Sequence, residues 1–198
     1  MLIIFDFDGT IHQTHIIYKK AMEVSLKELG INIDDLDFKS LIGKDPYETW
    51  RFLGIKEEKI AHMVNKTGLM MDENMSLFGK LYQGSYQTLS YLKDKYDLMI
   101  CSNCRNSYME AARKTYGLDR YFKAYLTGED YNFIDKYKIL KSLYLEEFIV
   151  VGDRENDIEA GYKNKMKTIF AAYGYGAIEE AKHASYIIND VRELMKIL

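Results

Sequence analysis

The sequence predicts an α/β protein: a doubly wound, Rossmann-like parallel sheet with an all-helical domain inserted after its first strand. Three observations carry that prediction. From residue 81 onward, short near-continuous apolar runs alternate with amphipathic segments, as in parallel sheets covered on both faces. Between residues 12 and 80 the periodicity is helical throughout. The opening run "LIIF" is a strand pattern standing in front of that helical stretch, so the helices interrupt a sheet rather than precede one. With 198 residues, 47% of them apolar, the chain can bury a core formed by 1–11 and 81–198 and still carry a helical domain at 12–80.

Each element follows from local pattern. After the first strand, "THIIYKKAMEVSLKELG" places Ile17, Ala21 and Val24, beside Met22, Leu26 and Leu29, at helical spacing, and Gly30 closes it. In "KDPYETWRFLG" Asp45 can cap, Pro46 takes the first helical position and Glu48 reaches back, which starts a second helix that stops near Gly54. A third runs through "KEEKIAHMVNKTGLMMDENM", with Gly68 as a weak point for its continuity. The alternation then begins. "GSYQTLSYLKDK" is helical and Leu98 to Cys101 a strand; "MEAARKTYGL" is helical and "KAYLTG" a strand; "DKYKILKSLY" is helical and "FIVVGD" a strand. Next come a helix in "DIEAGYKNK", a strand in "KTIFAA", a helix in "AIEEAKHA", a strand in "SYIIN" and a closing helix in "DVRELMKIL".

Composition excludes several functions. A net charge of −3, with lysines spread among the acids, offers no basic stripe for a phosphate backbone, so nucleic acid is not an expected partner. No apolar stretch approaches the roughly 18–20 residues that span a bilayer, and the first run meets acid too early for a signal peptide. These features place the chain in the cytoplasm, away from membranes and without an evident protein partner. Cys101 and Cys104 spell C-x-x-C, but a zinc site needs more ligands; Cys101 reads as a buried apolar residue at a strand end and Cys104 as an incidental loop thiol.

The chemistry is concentrated where strands end. In open parallel sheets, ligands bind beyond the carboxyl ends of the strands. The first strand ends in Asp6-Phe7-Asp8-Gly9-Thr10, a middle one in Ser102-Asn103, and a third in Gly152-Asp153, with Asp157 four residues on. Four carboxylates directed at one small volume repel one another unless a cation sits among them, and oxygen-only ligands at that density suit Mg²⁺.

With these residues in place, the sequence resembles the haloacid dehalogenase-like superfamily of phosphohydrolases. "DFDGT", "CSN", "DKYK" and "GDREND" stand in the order of its four motifs, and the helical insertion is placed like the family's alpha-helical cap. "LYQGSYQTLSYLKDKYDLMICSN" and the C-terminal "AAYGYGAIEEAKHASYIINDVRELMKIL" further resemble members of the phosphoglycolate-phosphatase type. Gln13, Gln83 and the missing proline after the motif lysine depart from that pattern.

The resemblance implies that Asp6 attacks phosphorus to form an aspartyl-phosphate and that Asp8 is the general acid and base. It also implies that Ser102, the Asn103 amide and a lysine cradle the phosphate. Mg²⁺ would then be held by the Asp6 carboxylate, the Asp8 backbone carbonyl and Asp153, with Asp157 in support. Lys136 or Lys138 is the motif lysine; Lys136 leaves Leu140 and Leu143 on a buriable helix face. In the cap, Lys44 after Gly43 is the candidate substrate contact. The implied activity is Mg²⁺-dependent hydrolysis of a small phosphomonoester. A phosphosugar mutase and a catalytically silent phosphate-binding regulator are the alternatives. Tyr18, standing where the family's sugar mutases carry a histidine, disfavours the first, and intact Asp6 and Asp8 the second.

Overall fold

The computed structural model describes residues 1–32, 34, 36, 41 and 46–198. Six strands form a single parallel sheet: β1 (Leu2–Phe5), β2 (Asp97–Ser102), β3 (Ala124–Thr127), β4 (Phe148–Gly152), β5 (Lys167–Ala171) and β6 (Tyr186–Ile188). Their order is β3-β2-β1-β4-β5-β6. The chain thus builds outward on one side of β1, returns, and builds outward on the other, which makes the carboxyl end of β1 a topological switch point. Register sharpens this. Phe5 pairs with Ile100 of β2 and with Val151 of β4, so β1 leaves the sheet two residues before the end of β2 and one before the end of β4.

Helices α4 (Ser85–Lys93), α5 (Asn106–Tyr116), α6 (Lys136–Ser142) and α7 (Glu155–Tyr162) connect the strands. Apolar residues on successive strand positions point to opposite faces, which is why the strands read as continuous apolar runs. Ile4, Cys101, Phe148 and Val150 pack with Ile139 and Leu140 of α6 and Ala160 of α7. Phe5 meets Phe122 edge-on, with ring centroids 6.0 Å apart.

The chain divides into two compact units, one formed by Met1–Gln13 with Leu81–Leu198 and the other by Thr14–Lys80. The second unit holds α1 (Thr14–Glu28), α2 (Pro46–Phe52) and α3 (Glu57–Phe78). Its core gathers Met22, Leu26, Leu41, Trp50, Ile60 and Met63, and a buried bond joins the hydroxyls of Ser25 and Thr67 at 3.1 Å. His12 and Gln13 fall with the sheet unit: His12 bridges to Leu81, and the Gln13 amide donates to the Leu81 carbonyl at 2.9 Å.

The third helix of the insertion forms as its pattern predicts, and two other elements differ from the sequence reading. α3 runs unbroken through Gly68, because a helix glycine costs only about 1 kcal/mol and the buried stripe of Ile60, Met63, Thr67 and Met75 outweighs it. "AIEEAKHA" contributes only the 3₁₀ turn Ile178–Ala181, where Glu180 accepts from the Arg154 side chain and from the Glu155 and Ala177 amides. The C-terminal segment is a 3₁₀ turn at Val191–Glu193 followed by the single-turn α8 (Leu194–Ile197). Among the described residues, no helix is long and apolar enough to cross a membrane.

Candidate active site

Beyond β1 the chain makes a tight loop. The amides of Ile11 and His12 donate to the Phe7 carbonyl, at 3.0 and 2.9 Å, and Gly9 adopts φ 86°. That backbone conformation disfavours any side chain, and a Cβ on Gly9 would lie 2.2 Å from Asp153 Oδ2. The turn brings the first motif against the end of β4 only because residue 9 has no side chain.

Asp6, Asp153 and Asp157 are all buried, and one carboxylate oxygen from each lies within 4.8 Å of the other two. Lys136, at the start of α6, points into the same group. Its ammonium donates to Asp6 Oδ1 and to Asp157 Oδ1, each at 2.5 Å, and it is only 4% exposed. Lys138 instead pairs at 2.8 Å with exposed Asp135, so of the two candidate lysines Lys136 is the one that lies at the cluster. Asp157 sits in the first turn of α7, where its second oxygen accepts from the Arg154 amide at 3.1 Å. A Cβ on Gly152 would lie 2.2 Å from that of Asp157, so the strand end must also be bare. Asp153 accepts from the Thr10 hydroxyl at 3.3 Å and from the Tyr175 amide at 2.7 Å.

Electrostatics reflect three buried acids facing one base. Burial, only partly offset by Lys136 and reinforced by Asp157, Asp153 and Asp8, holds the Asp6 carboxyl well above the usual carboxylate range. Burial and the neighbouring Asp157 push Asp153 up to about 7, against the Tyr175 amide. Burial disfavours the Lys136 ammonium, but the Asp157 and Asp6 carboxylates outweigh it and keep its pKa well above the ordinary lysine value. Lys136 is therefore charged, and with all three acids ionised the cluster would carry an excess of two negative charges, which the raised Asp6 and Asp153 values resist. Hard oxygen donors with that excess fit a divalent cation such as Mg²⁺.

The fourth carboxylate, Asp8, acts on Asp6 by its charge but is not one of the three whose oxygens close to within 4.8 Å. Asp8 has left β1 and pairs by its backbone with His12. Its Oδ1 accepts from the Tyr108 hydroxyl at 2.6 Å, and the Ser102 hydroxyl lies 3.5 Å from its Oδ2. Two acids two residues apart thus have distinct surroundings: Asp6 is buried among charges, while the Asp8 side chain is 31% exposed and faces hydroxyls. Ser102 is buried at the end of β2 and Asn103 beside it is exposed. Lys44 and its neighbour Gly43 lie outside the described residues.

Sequence reasoning missed Tyr108, and it gave Thr10 and the Tyr175 amide no role. Tyr108 reaches Asp8 because α5 begins just after the "CSN" loop, and a tyrosine in a helical stretch carries no signal of its own. The C-x-x-C pair is inert by contrast. Both thiols are free and buried, and burial pushes Cys101 up to about 12 and Cys104 higher still, the reverse of an activated cysteine.

Comparison with known proteins gives a consistent outcome. The family profile described as "Haloacid dehalogenase-like hydrolase" matches residues 3–171. A curated phosphoglycolate phosphatase from Aquifex aeolicus is 28% identical over 216 aligned positions, covering 100% of this chain and 96% of its own. The pyrophosphatase PpaX of Oceanobacillus iheyensis is 22% identical, covering 99% of this chain and 95% of its own. Among solved structures, a haloacid dehalogenase-like family hydrolase from Streptococcus pneumoniae shares the fold with a TM-score of 0.86 at 18% identity, covering 99% of this chain and 97% of that one.

Proposed function

The chain belongs to the haloacid dehalogenase-like hydrolases, and from that premise we propose that it is a Mg²⁺-dependent phosphatase. It hydrolyses a small phosphorylated metabolite through an aspartyl-phosphate on Asp6. The observation that carries this reading is the pairing of Asp6 with Lys136 inside a buried three-acid cluster, with Asp8 held apart from it.

The roles follow from environment. Asp6 Oδ attacks phosphorus, the bond to the leaving oxygen breaks, and Asp8 gives that oxygen a proton; Asp8 then takes a proton from the water that attacks the intermediate. The Asp8 side chain is partly exposed and stands outside the buried three-acid group, where a leaving oxygen or a water can reach it. Lys136 orients Asp6 and offsets charge on the phosphoryl oxygens, which the Ser102 hydroxyl and the Asn103 amide help to bind. Mg²⁺ would be held by the Asp6 carboxylate, the Asp8 backbone carbonyl and Asp153, with Asp157 in support, and when bound it supplies charge neutralisation of the transferring group.

The helical unit Thr14–Lys80 is read as the cap that selects the substrate, with Lys44 as its candidate contact. The names of the two curated relatives support a compact anionic substrate, a phosphomonoester of the phosphoglycolate kind or pyrophosphate. Two free, buried thiols suit a cytoplasmic setting. The test is release of nitrophenolate from p-nitrophenyl phosphate with and without Mg²⁺, with Asp6→Asn as control. Loss of turnover on either removal supports the reading, and turnover by Asp6→Asn overturns it.

A further inference from the structure

Asp8 has a partner in the structure that the proposed mechanism does not use. We infer that Tyr108 is a positioning residue: its hydroxyl occupies Oδ1 of Asp8 and so confines proton exchange with the substrate to Oδ2. The inference rests on the reading of Asp8 as general acid and base.

The geometry is specific. Tyr108 lies in the first turn of α5, is 4% exposed, and donates to Asp8 Oδ1 at 2.6 Å, a length typical of a bond to a carboxylate. The Ser102 hydroxyl lies 3.5 Å from Oδ2, a much longer contact than the one Tyr108 makes with Oδ1. The tyrosine is itself held. Its ring meets Phe7 edge-on at 6.2 Å, and its oxygen lies 3.4 Å from His12 Nδ1. His12, fully buried, stacks on Phe7 with centroids 5.0 Å apart and planes 5° apart. A hydroxyl has one proton, so while Tyr108 donates to Asp8 its lone pairs are left for the His12 side.

The consequence concerns a carboxyl group with two equivalent oxygens. In the first transfer the Asp6–phosphorus bond forms, the bond to the leaving oxygen breaks, and a proton moves from Asp8 to that oxygen. In the second, water gives a proton to Asp8 as its oxygen displaces Asp6. A proton on the wrong oxygen of Asp8 contributes to neither step. With Oδ1 always accepting from Tyr108, the exchangeable proton sits on Oδ2 in both steps. A purely packing role would need the ring and not the hydroxyl.

Tyr108→Phe, measured as kcat/KM on p-nitrophenyl, phenyl and benzyl phosphate with Mg²⁺ present, separates these roles. Leaving-group basicity rises along that series, and so does the need for a placed proton. The expected loss is less than about 3-fold on the nitrophenyl ester and about 10- to 50-fold on the benzyl ester, with KM little changed. Equal losses on all three esters, or none, overturn the inference. Asp8→Asn is run beside it. If that variant keeps wild-type kcat/KM on benzyl phosphate, the acid–base reading fails and this inference with it; if it loses activity while Tyr108→Phe is flat, the inference alone fails. Should Tyr108→Phe not fold, 3-fluorotyrosine at position 108 keeps the ring and strengthens the donor; a changed dependence on leaving group supports the inference, and an unchanged one overturns it.

Discussion

The Lys136 ammonium stands 2.5 Å from Asp6 Oδ1 although 130 residues separate the two in sequence. It makes the same contact with Asp157, so a single cation ties the first strand of the sheet to the first turn of α7. Removing it leaves buried carboxylates facing each other. Lys136→Met is therefore expected to lower stability by about 3–5 kcal/mol at pH 8 and by less at pH 5, where the acids can take up protons. Denaturant unfolding at the two pH values, with a chelator present, measures this. Equal losses at both would contradict the charge argument.

The second prediction concerns pH. The folded-state pKa of Asp153 is raised to about 7 from an ordinary value near 3.8, so between those values the native state binds a proton that the unfolded chain does not. Stability from this group is present below the lower value and lost as pH rises towards 7, at up to about 1.4 kcal/mol per unit. The metal-free protein is expected to lose stability from pH 5 to pH 8, and Asp153→Asn to lose less. Added Mg²⁺ should raise the melting temperature more at pH 8 than at pH 5. A wild type and variant with parallel pH profiles would show that Asp153 is not the group responsible.

Gly9 gives a third test. An added Cβ meets Asp153 Oδ2 at 2.2 Å in a backbone conformation that alanine avoids. Gly9→Ala is expected to cost about 2–4 kcal/mol from strain and overpacking together, and to reduce phosphatase turnover at least about tenfold. A variant with unchanged melting temperature and turnover would mean the turn is not tightly specified.

The thiols provide a fourth. Cys101 and Cys104 are buried with their ionisation suppressed, so a thiol reagent applied to the native protein should react slowly and leave turnover intact. Under denaturant both should titrate rapidly. Fast modification of the native state would restore the redox reading of the C-x-x-C spacing.

Much of this fold is legible in the sequence because apolar runs and helical periodicity are local. The strand ends that deliver Asp6, Ser102 and Asp153 are found by reading where each apolar run stops. Choosing Lys136 over Lys138 needs the direction of α6's first turn, for which periodicity gives only a preference. The Asp8 carboxylate illustrates what local pattern does not encode. Three positions past β1, it follows no strand alternation, and its partner Tyr108 comes from a helix 100 residues further along the chain. Tyr108 itself becomes visible only when α5 is packed beside the first motif.

The claim that Asp6 captures phosphorus is tested most directly by acid-quenching the enzyme during turnover of p-nitrophenyl phosphate with Mg²⁺ and mapping the modified peptide by mass spectrometry. The account predicts one phosphoryl group on the peptide carrying Asp6, lost on chase and absent from Asp6→Asn. A phosphoryl group on any other residue, or full turnover by an enzyme that never carries one, would contradict it.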